Sequence, residues 1–282
     1  MAPAVVVDCD PGIDDALALL ALAELHRRGA VRVGCVTAVA GNGPVALCAR
    51  NAAFVVARSA LRGTPVRAGA PAGDPDAPAR HGADGLGGVA GEAAAGAWAA
   101  GGALELARQV GHGAAAILAL GPLTNLAAAD LPAGTRVVAM GGSLAGGGEF
   151  NLAHDPEAAS RVLDGLLAVT LVPIDVTRRV AFAGEVADEI AGAAVNPLVG
   201  ALLAAARARH PGGGGCPVHD AVALVALVRP ELVRVVRGRV SVLPGGRVGL
   251  APDPAGACGV VADIDVGAAT RLLAELWLVS PP

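Results

Sequence analysis

The sequence predicts an α/β fold: a mostly parallel central sheet with helices on both faces, in one domain spanning residues 1–282. Two observations carry this prediction. Short apolar runs alternate with helix-length segments, most clearly in the first two thirds of the chain, and β–α alternation is the signature of a parallel sheet. The runs are apolar almost throughout, as strands buried on both faces are. Hydrophobic residues make up 54% of 282 residues and charged residues 16%, so the chain can bury a substantial core.

The elements follow in order. Val5–Asp8 reads as a strand and Asp14–Arg28 as a helix. Val31–Val39 is a second strand, followed by a helix near Pro44–Ser59. Ala114–Leu120 and Arg136–Met140 are strands around a helix that begins near Pro122. Asp155–Leu163 is a helix and Ala168–Pro173 a strand. The segment 70–96, rich in Gly, Pro and Asp, reads as a long surface loop that could act as a lid. A glycine-rich stretch, His210–Gly215, is a second flexible region. Asp10, Asn42, Gly121 and Gly141 each follow a strand directly, and ligands of open α/β sheets bind outside the carboxyl ends of strands. Four loops should therefore converge on one pocket.

The balance of charge excludes some functions. The net charge is −4 with no basic block, which argues against a nucleic-acid partner. No run of 18 apolar residues suggests a membrane span, and Asp8 and Asp10 interrupt any secretory signal. The five cysteines are scattered and form no C-x-x-C, which fits a reducing cytoplasm. Lysine and tyrosine are absent, and the abundance of Ala, Gly, Arg, Pro and Val points to a GC-rich coding bias.

The chemistry is concentrated in Asp8-Cys9-Asp10-Pro11-Gly12-Ile13-Asp14-Asp15. Four carboxylates crowd the end of a buried strand, where they repel one another and raise each other's pKa. No arginine lies in the segment, so a hard metal ion is the leading way to relieve that strain. Capping of the following helix explains Asp14 or Asp15, where the dipole favours negative charge, but not Asp8 and Asp10 as well. A phosphatase of the haloacid-dehalogenase type also carries D-x-D at a strand end, but its pattern continues with Gly and Thr rather than Pro-Gly-Ile-Asp-Asp.

Asp8–Ala16 closely resembles the N-terminal motif of the inosine–uridine-preferring nucleoside hydrolases. Further segments resemble that family in the same order: Val39-Ala40-Gly41-Asn42, His81-Gly82-Ala83-Asp84-Gly85-Leu86, Gly121-Pro122-Leu123-Thr124-Asn125, Met140-Gly141-Gly142, Glu149-Phe150-Asn151, Pro173–Thr177 and His219-Asp220. The resemblance covers roughly residues 1 to 275 and implies the Rossmann-like architecture of that family. The loop 141–148 is short and glycine-rich, with Ser143 where the family commonly places an Asn. Family members often carry a Tyr on the helix before the His-Asp motif, near the leaving-group His; this chain has no tyrosine, and Arg209 or His210 would have to take its place.

The resemblance implies Ca²⁺-dependent hydrolysis of the N-glycosidic bond of ribonucleosides, of the pyrimidine or inosine/uridine type. By it, Asp10, Asp15, the Thr124 main-chain carbonyl and Asp220 hold Ca²⁺, an all-oxygen set suited to a hard cation. Asp10 is also the general base for water, and His219 serves the departing base. Asp14 and Asn151 grip the 2′-hydroxyl, Glu149 the 5′-hydroxyl, and Asn42, His81, Met140 and Phe150 complete the substrate site. Asp8 supports the motif from behind. Homodimers or homotetramers are the expected assembly. A non-catalytic ribose-binding homologue, or a hydrolase of a modified ribosyl compound, is the alternative.

Overall fold

The computed structural model describes residues 2–69, 79–90, 97–209 and 215–278. The elements run β1 (Ala4–Cys9), α1 (Ile13–Arg27), β2 (Arg32–Ala38), α2 (Val45–Ala57), β3 (Val66–Ala68), β4 (Ala99–Ala100), α3 (Gly102–Gly111), β5 (Ala116–Ala119) and α4 (Thr124–Ala128). They continue with β6 (Arg136–Met140), α5 (Phe150–His154), α6 (Pro156–Leu163), β7 (Ala168–Val172), α7 (Ile174–Thr177), β8 (Ala181–Phe182), α8 (Gly184–Ala193) and α9 (Pro197–Ala208). The last are β9 (Cys216–Pro217), α10 (His219–Val228), β10 (Val233–Leu243), β11 (Arg247–Pro252), β12 (Cys258–Ile264) and α11 (Val266–Leu278).

Among the described residues, ten strands form one sheet in the order β11-β10-β12-β7-β6-β5-β1-β2-β3-β4. From β12 to β4 every neighbouring pair is parallel, and β10 pairs antiparallel with both β11 and β12. The chain winds outward from β1 through β2 and β3, then returns to β5 and winds the other way through β6 and β7. The order reverses between β1 and β5, and that crevice is where an open sheet binds its ligand. The antiparallel flank was not foreseen. β10 carries exposed Arg234, Arg237 and Arg239 among valines that range from buried Val240 to exposed Val235, as on a strand with one face toward solvent.

The sheet carries an apolar core on each face. Along β1, Val5, Val7 and Cys9 join one cluster and Val6 joins the other, as the two-residue strand period requires. β5 and β6 divide the same way, with Leu118 and Val138 on one side and Ile117 and Val137 on the other. Helix α1 is buried nearly all round, because it is covered by α2, α9, α10 and α11, and α10 in turn packs on β5, β6 and β7. Its first turn carries Asp14 and Asp15, and its last His26 and Arg27, each complementing the helix dipole. The Trp277 indole N–H donates to the Leu17 carbonyl at 3.2 Å and pins α11 to α1. Among the described residues, no helix is long and apolar enough to cross a membrane.

The expected strands and helices agree with the structure to within a few residues through β7. Of the proposed lid, residues 79–90 form a series of turns, and 70–78 and 91–96 lie outside the described residues. Residues 210–214 of the second glycine-rich stretch also lie outside them.

Candidate active site

A cleft of about 330 Å³ opens at the carboxyl ends of β1, β5 and β6. Its wall includes Asp10, Asp14, Asp15, Asn42, His81, Met140, Glu149, Phe150, Asn151, His219 and Asp220. All expected site residues except Thr124 therefore meet in one place.

The floor is the turn after β1. Asp10 and Asp15 are 1% exposed and Asp220 4%. The Asp10 carboxylate fits between two strand-end glycines. A Cβ on Gly121 would stand 2.5 Å from its Oδ1, and one on Gly41 would stand closer still to its Oδ2. The Asn42 main-chain N–H donates to Asp10 Oδ2 at 2.7 Å, and the Asn42 amide donates to the Asp10 carbonyl at 3.0 Å. Asp15 folds back over the turn and accepts from the main-chain N–H of Asp10 (3.2 Å) and of Gly12 (3.0 Å), and from the Asn42 amide (3.2 Å). Carboxylate oxygens of Asp14, Asp15 and Asp220 lie within 4.8 Å of one another, although they come from opposite ends of the sequence.

Burial raises these carboxyls first, and their mutual repulsion adds to it. Asp15 rises to about 6, through burial and then the charge of Asp14. Asp10 and Asp220 rise well above the carboxylate range, through burial and then the charge of Asp15. Asp15 and Asp220 also share a hydrogen bond that lowers the first and raises the second. Among the described residues, no cation ranks among the leading influences on any of them. A cluster of this donor chemistry fits a hard, oxygen-seeking ion.

Asp8 lies behind the floor rather than in the cleft. Its Oδ1 accepts from Thr37 Oγ1 at 2.5 Å and from the Asn125 amide at 2.8 Å, and burial lifts its pKa to about 7. Asn125 also donates to the Ala38 carbonyl at 3.0 Å, so this network ties α4 to β1 and β2.

On the next wall, Glu149 caps α5. Its carboxylate accepts from the main-chain N–H of Asn151 (2.8 Å), Leu152 (3.0 Å) and Gly142 (2.8 Å). Three bonds leave room for one more on a group with about four acceptor positions. Burial raises the Glu149 pKa. Asn151 donates to the carbonyls of Leu120 (2.6 Å) and Met140 (3.2 Å), which sets its amide nitrogen against the strand ends. At the N-terminus of α10, His219 Nδ1 meets Thr177 Oγ1 at 2.8 Å. His81 packs on Gly12, where a Cβ would stand 2.7 Å from its Nε2.

Thr124 requires a correction. It does not line the cleft. It is the first residue of α4, and its hydroxyl donates to Asp155 at 2.7 Å. The chain needs Gly121-Pro122-Leu123 to turn from β5 into that helix, which carries Thr124 away from the strand end. The residue at the strand end is Leu120, which lines the cleft and whose carbonyl meets Asn151. Sequence reasoning also missed Arg80 as a wall residue and Thr177 as the partner of His219. Thr177 had a signal, its place in a segment matching the family. Arg80 had only its position beside His81.

Fold and cleft define a class of enzyme, a hydrolase with an acidic floor at the switch point of a parallel sheet. Residues 5–268 match the profile of the inosine-uridine preferring nucleoside hydrolases. The non-specific ribonucleoside hydrolase RihC of Klebsiella pneumoniae is 32% identical, with 98% of this chain and 99% of that protein covered. The pyrimidine-specific ribonucleoside hydrolase RihA of the same organism is 32% identical over 88% of this chain and 86% of that protein. A solved plant nucleoside hydrolase, PpNRh1, superposes with a TM-score of 0.85 at 24% identity, covering 99% of this chain and all of that one. The chain belongs to the inosine–uridine preferring nucleoside hydrolase family.

Proposed function

We propose that this enzyme hydrolyses ribonucleosides to free base and ribose, with calcium held at the floor of the cleft. One observation carries the reading: Asp14, Asp15 and Asp220 converge on the wall of a cleft that also holds Asp10, Glu149 and Asn151. Asp10, Asp15 and Asp220 are the calcium ligands in this reading, and the Leu120 carbonyl takes the place first given to Thr124. Bound there, the ion would supply the positive charge that lets a water lose a proton near neutral pH.

Asp10 accepts that proton. The water oxygen bonds to C1′ of the ribose, the C1′–N bond breaks, and its electron pair leaves with the base. A proton then reaches the base nitrogen, so that water has been divided between the two products. Asp14 and Asn151 hold the 2′-hydroxyl, which makes 2′-deoxynucleosides poor substrates because they leave buried polar groups unpaired. Glu149 uses its remaining acceptor position for the 5′-hydroxyl. His219, oriented through Thr177, and His81, seated on Gly12, face the base.

Five buried free cysteines fit a reducing compartment such as the cytoplasm. The whole chain acts as one catalytic unit in this reading, and the active form is a homodimer or homotetramer. The test is release of ribose from inosine, uridine, cytidine and adenosine, with calcium and with chelator. Calcium-dependent ribose release is expected. Calcium-stabilised melting with no ribose from any nucleoside would favour a ribose-binding homologue instead.

A further inference from the structure

The charge of the cleft changes sign from floor to rim. The charges that act most strongly on Asp10, Asp15 and Asp220 are other carboxylates. Arg80 and Arg209 also line the cleft, and among the described residues neither pairs with a carboxylate. Arg80 lies over the Phe150 ring, 4.0 Å from its centroid. Arg209, at the end of α9, donates from Nη2 to the Arg80 carbonyl at 2.7 Å. A glycine at 87 lets the same loop approach α9 further, since a Cβ there would stand 2.8 Å from that of Ala205. Three separate elements, the loop before His81, α5 and α9, thus meet around two guanidinium groups.

Two fixed cations beside a substrate cleft, and away from its carboxylates, suit a group that becomes negative during reaction. The function proposed above, on which this inference rests, provides one. The 2′- and 3′-hydroxyls of a β-ribonucleoside lie on the ring face opposite the base. A ribose held by its hydroxyls at the acidic floor therefore points its base at the rim. When the C1′–N bond breaks, the electron pair passes to the base nitrogen and spreads onto any conjugated carbonyl oxygen.

We propose that Arg209 is a specificity-determining residue of the leaving-group side, donating to a carbonyl oxygen of the base and stabilising the charge that develops there. A guanidinium has five N–H donors, of which the bond to Arg80 uses one. It stays charged throughout the physiological range, so it acts as a fixed charge and gives up no proton. Arg80 is the positioning residue: its carbonyl holds Arg209 and its own guanidinium is anchored on Phe150. The substrate class is ribosides whose leaving group departs as an anion with charge on oxygen.

The test compares the intact calcium-loaded protein with Arg209→Met and Arg209→Lys. Substrates are uridine and a series of substituted phenyl ribosides, from poor leaving groups to 4-nitrophenolate. The Met variant should lose about 10–100-fold in kcat/KM on uridine, the scale of an electrostatic contact made in the transition state. On 4-nitrophenyl riboside, whose leaving group needs little help, the loss should stay within about threefold. The dependence of rate on leaving-group acidity should steepen in the Met variant and be partly restored in the Lys variant. Melting should be unchanged, since Arg209 is exposed. An equal loss on both kinds of substrate would show that Arg209 only props up the rim, and no loss on uridine would overturn the proposal outright. A wild-type protein inactive on every riboside would count against the proposed function. Calorimetric binding of free uracil would then decide about Arg209, with equal affinity in wild type and Met variant rejecting its role.

Discussion

At the floor of the cleft, Asp10, Asp15 and Asp220 are at most 4% exposed, and Asp10 and Asp15 are held by main-chain N–H groups of their own turn and by Asn42. At the rim, Arg80 and Arg209 stand in solvent and are held by one ring face and one carbonyl. The floor is short-range and rigid: residues 10–15 form most of it, and a single donation from Asn42 locks each of two carboxylates. The rim is long-range, because residues 80, 150 and 209 meet only after the sheet and its helices are assembled. On the proposed function, the floor is where the metal would be held and the rim is where the base, the group that varies most between nucleosides, would sit.

Removing the reactive charge at the floor should have the largest effect. Asp10→Asn should lower kcat by about 10²–10⁴, the usual contribution of a positioned base, with uridine KM nearly unchanged. The variant should also melt no lower than wild type under chelation, since it removes a buried, repelled carboxylate. Turnover near the wild-type rate would exclude Asp10 as the base.

Withdrawing calcium should abolish turnover and expose a pH dependence specific to the floor. Calcium at a hundredfold excess over its Kd should stabilise the fold by about 2.7 kcal/mol. In chelated protein, Asp15 titrates near 6 and Asp8 near 7, both raised from 3.8. The native state holds these protons more tightly than the unfolded chain does. Their stabilisation is complete below the ordinary carboxylate range and is lost as pH rises through 6 and 7. Chelated protein should therefore melt lower at about pH 8 than at about pH 5, and calcium should flatten the Asp15 part of that slope. Equal melting temperatures at both values under chelation would refute the raised pKa values.

Gly12→Ala probes the seam where floor and rim touch. The added methyl would stand 2.7 Å from His81 and 2.8 Å from the Asn42 amide, so His81 must move. A fall in kcat/KM of about tenfold is expected from such a displacement, with calcium affinity retained. A matched loss of calcium binding would show that the floor had been disturbed as well.

The smallest effect should come from Asn51 on α2. It is fully buried, and its amide donates to the Pro11 carbonyl at 3.2 Å and to the Asp84 carbonyl at 2.9 Å, joining the carboxylate turn to the His81 loop. Asp84 in turn accepts from the main-chain N–H of Leu86, Gly88 and Ala90. Asn51→Ala should lower stability by about 1–3 kcal/mol in denaturant titration and loosen the rim more than the floor. Amide exchange should quicken in residues 79–90 and stay slow at Asp10–Asp15. Uniform acceleration would mean the two regions are not separable.

Much of this was legible in the sequence, for a local reason. Strand and helix periodicity, the Pro-Gly turn and the spacing of four aspartates are short-range properties, so β1, α1 and the Asp10–Asp15 turn could be read directly. The parallel strands were equally plain, because burial on both faces leaves near-continuous apolar runs such as Arg136–Met140. Less legible was the β10–β12 flank, where coding bias scatters Ala, Gly and Arg through strands and turns alike.

What the sequence by itself determined is the fold class, the acidic turn and the kind of ion that turn suits, since those follow from residue type and near-neighbour spacing. The resemblance to the family implied Asp220 beside Asp15, but only the tertiary structure decided which other distant groups join the turn: Leu120 rather than Thr124 just past the end of β5, Thr177 behind His219, and Arg80 against Phe150 and Arg209. These depend on where each strand ends and on how far the following turn carries the chain. A displacement of a few residues moves a carbonyl from a cleft wall into a helix, and no local pattern specifies it.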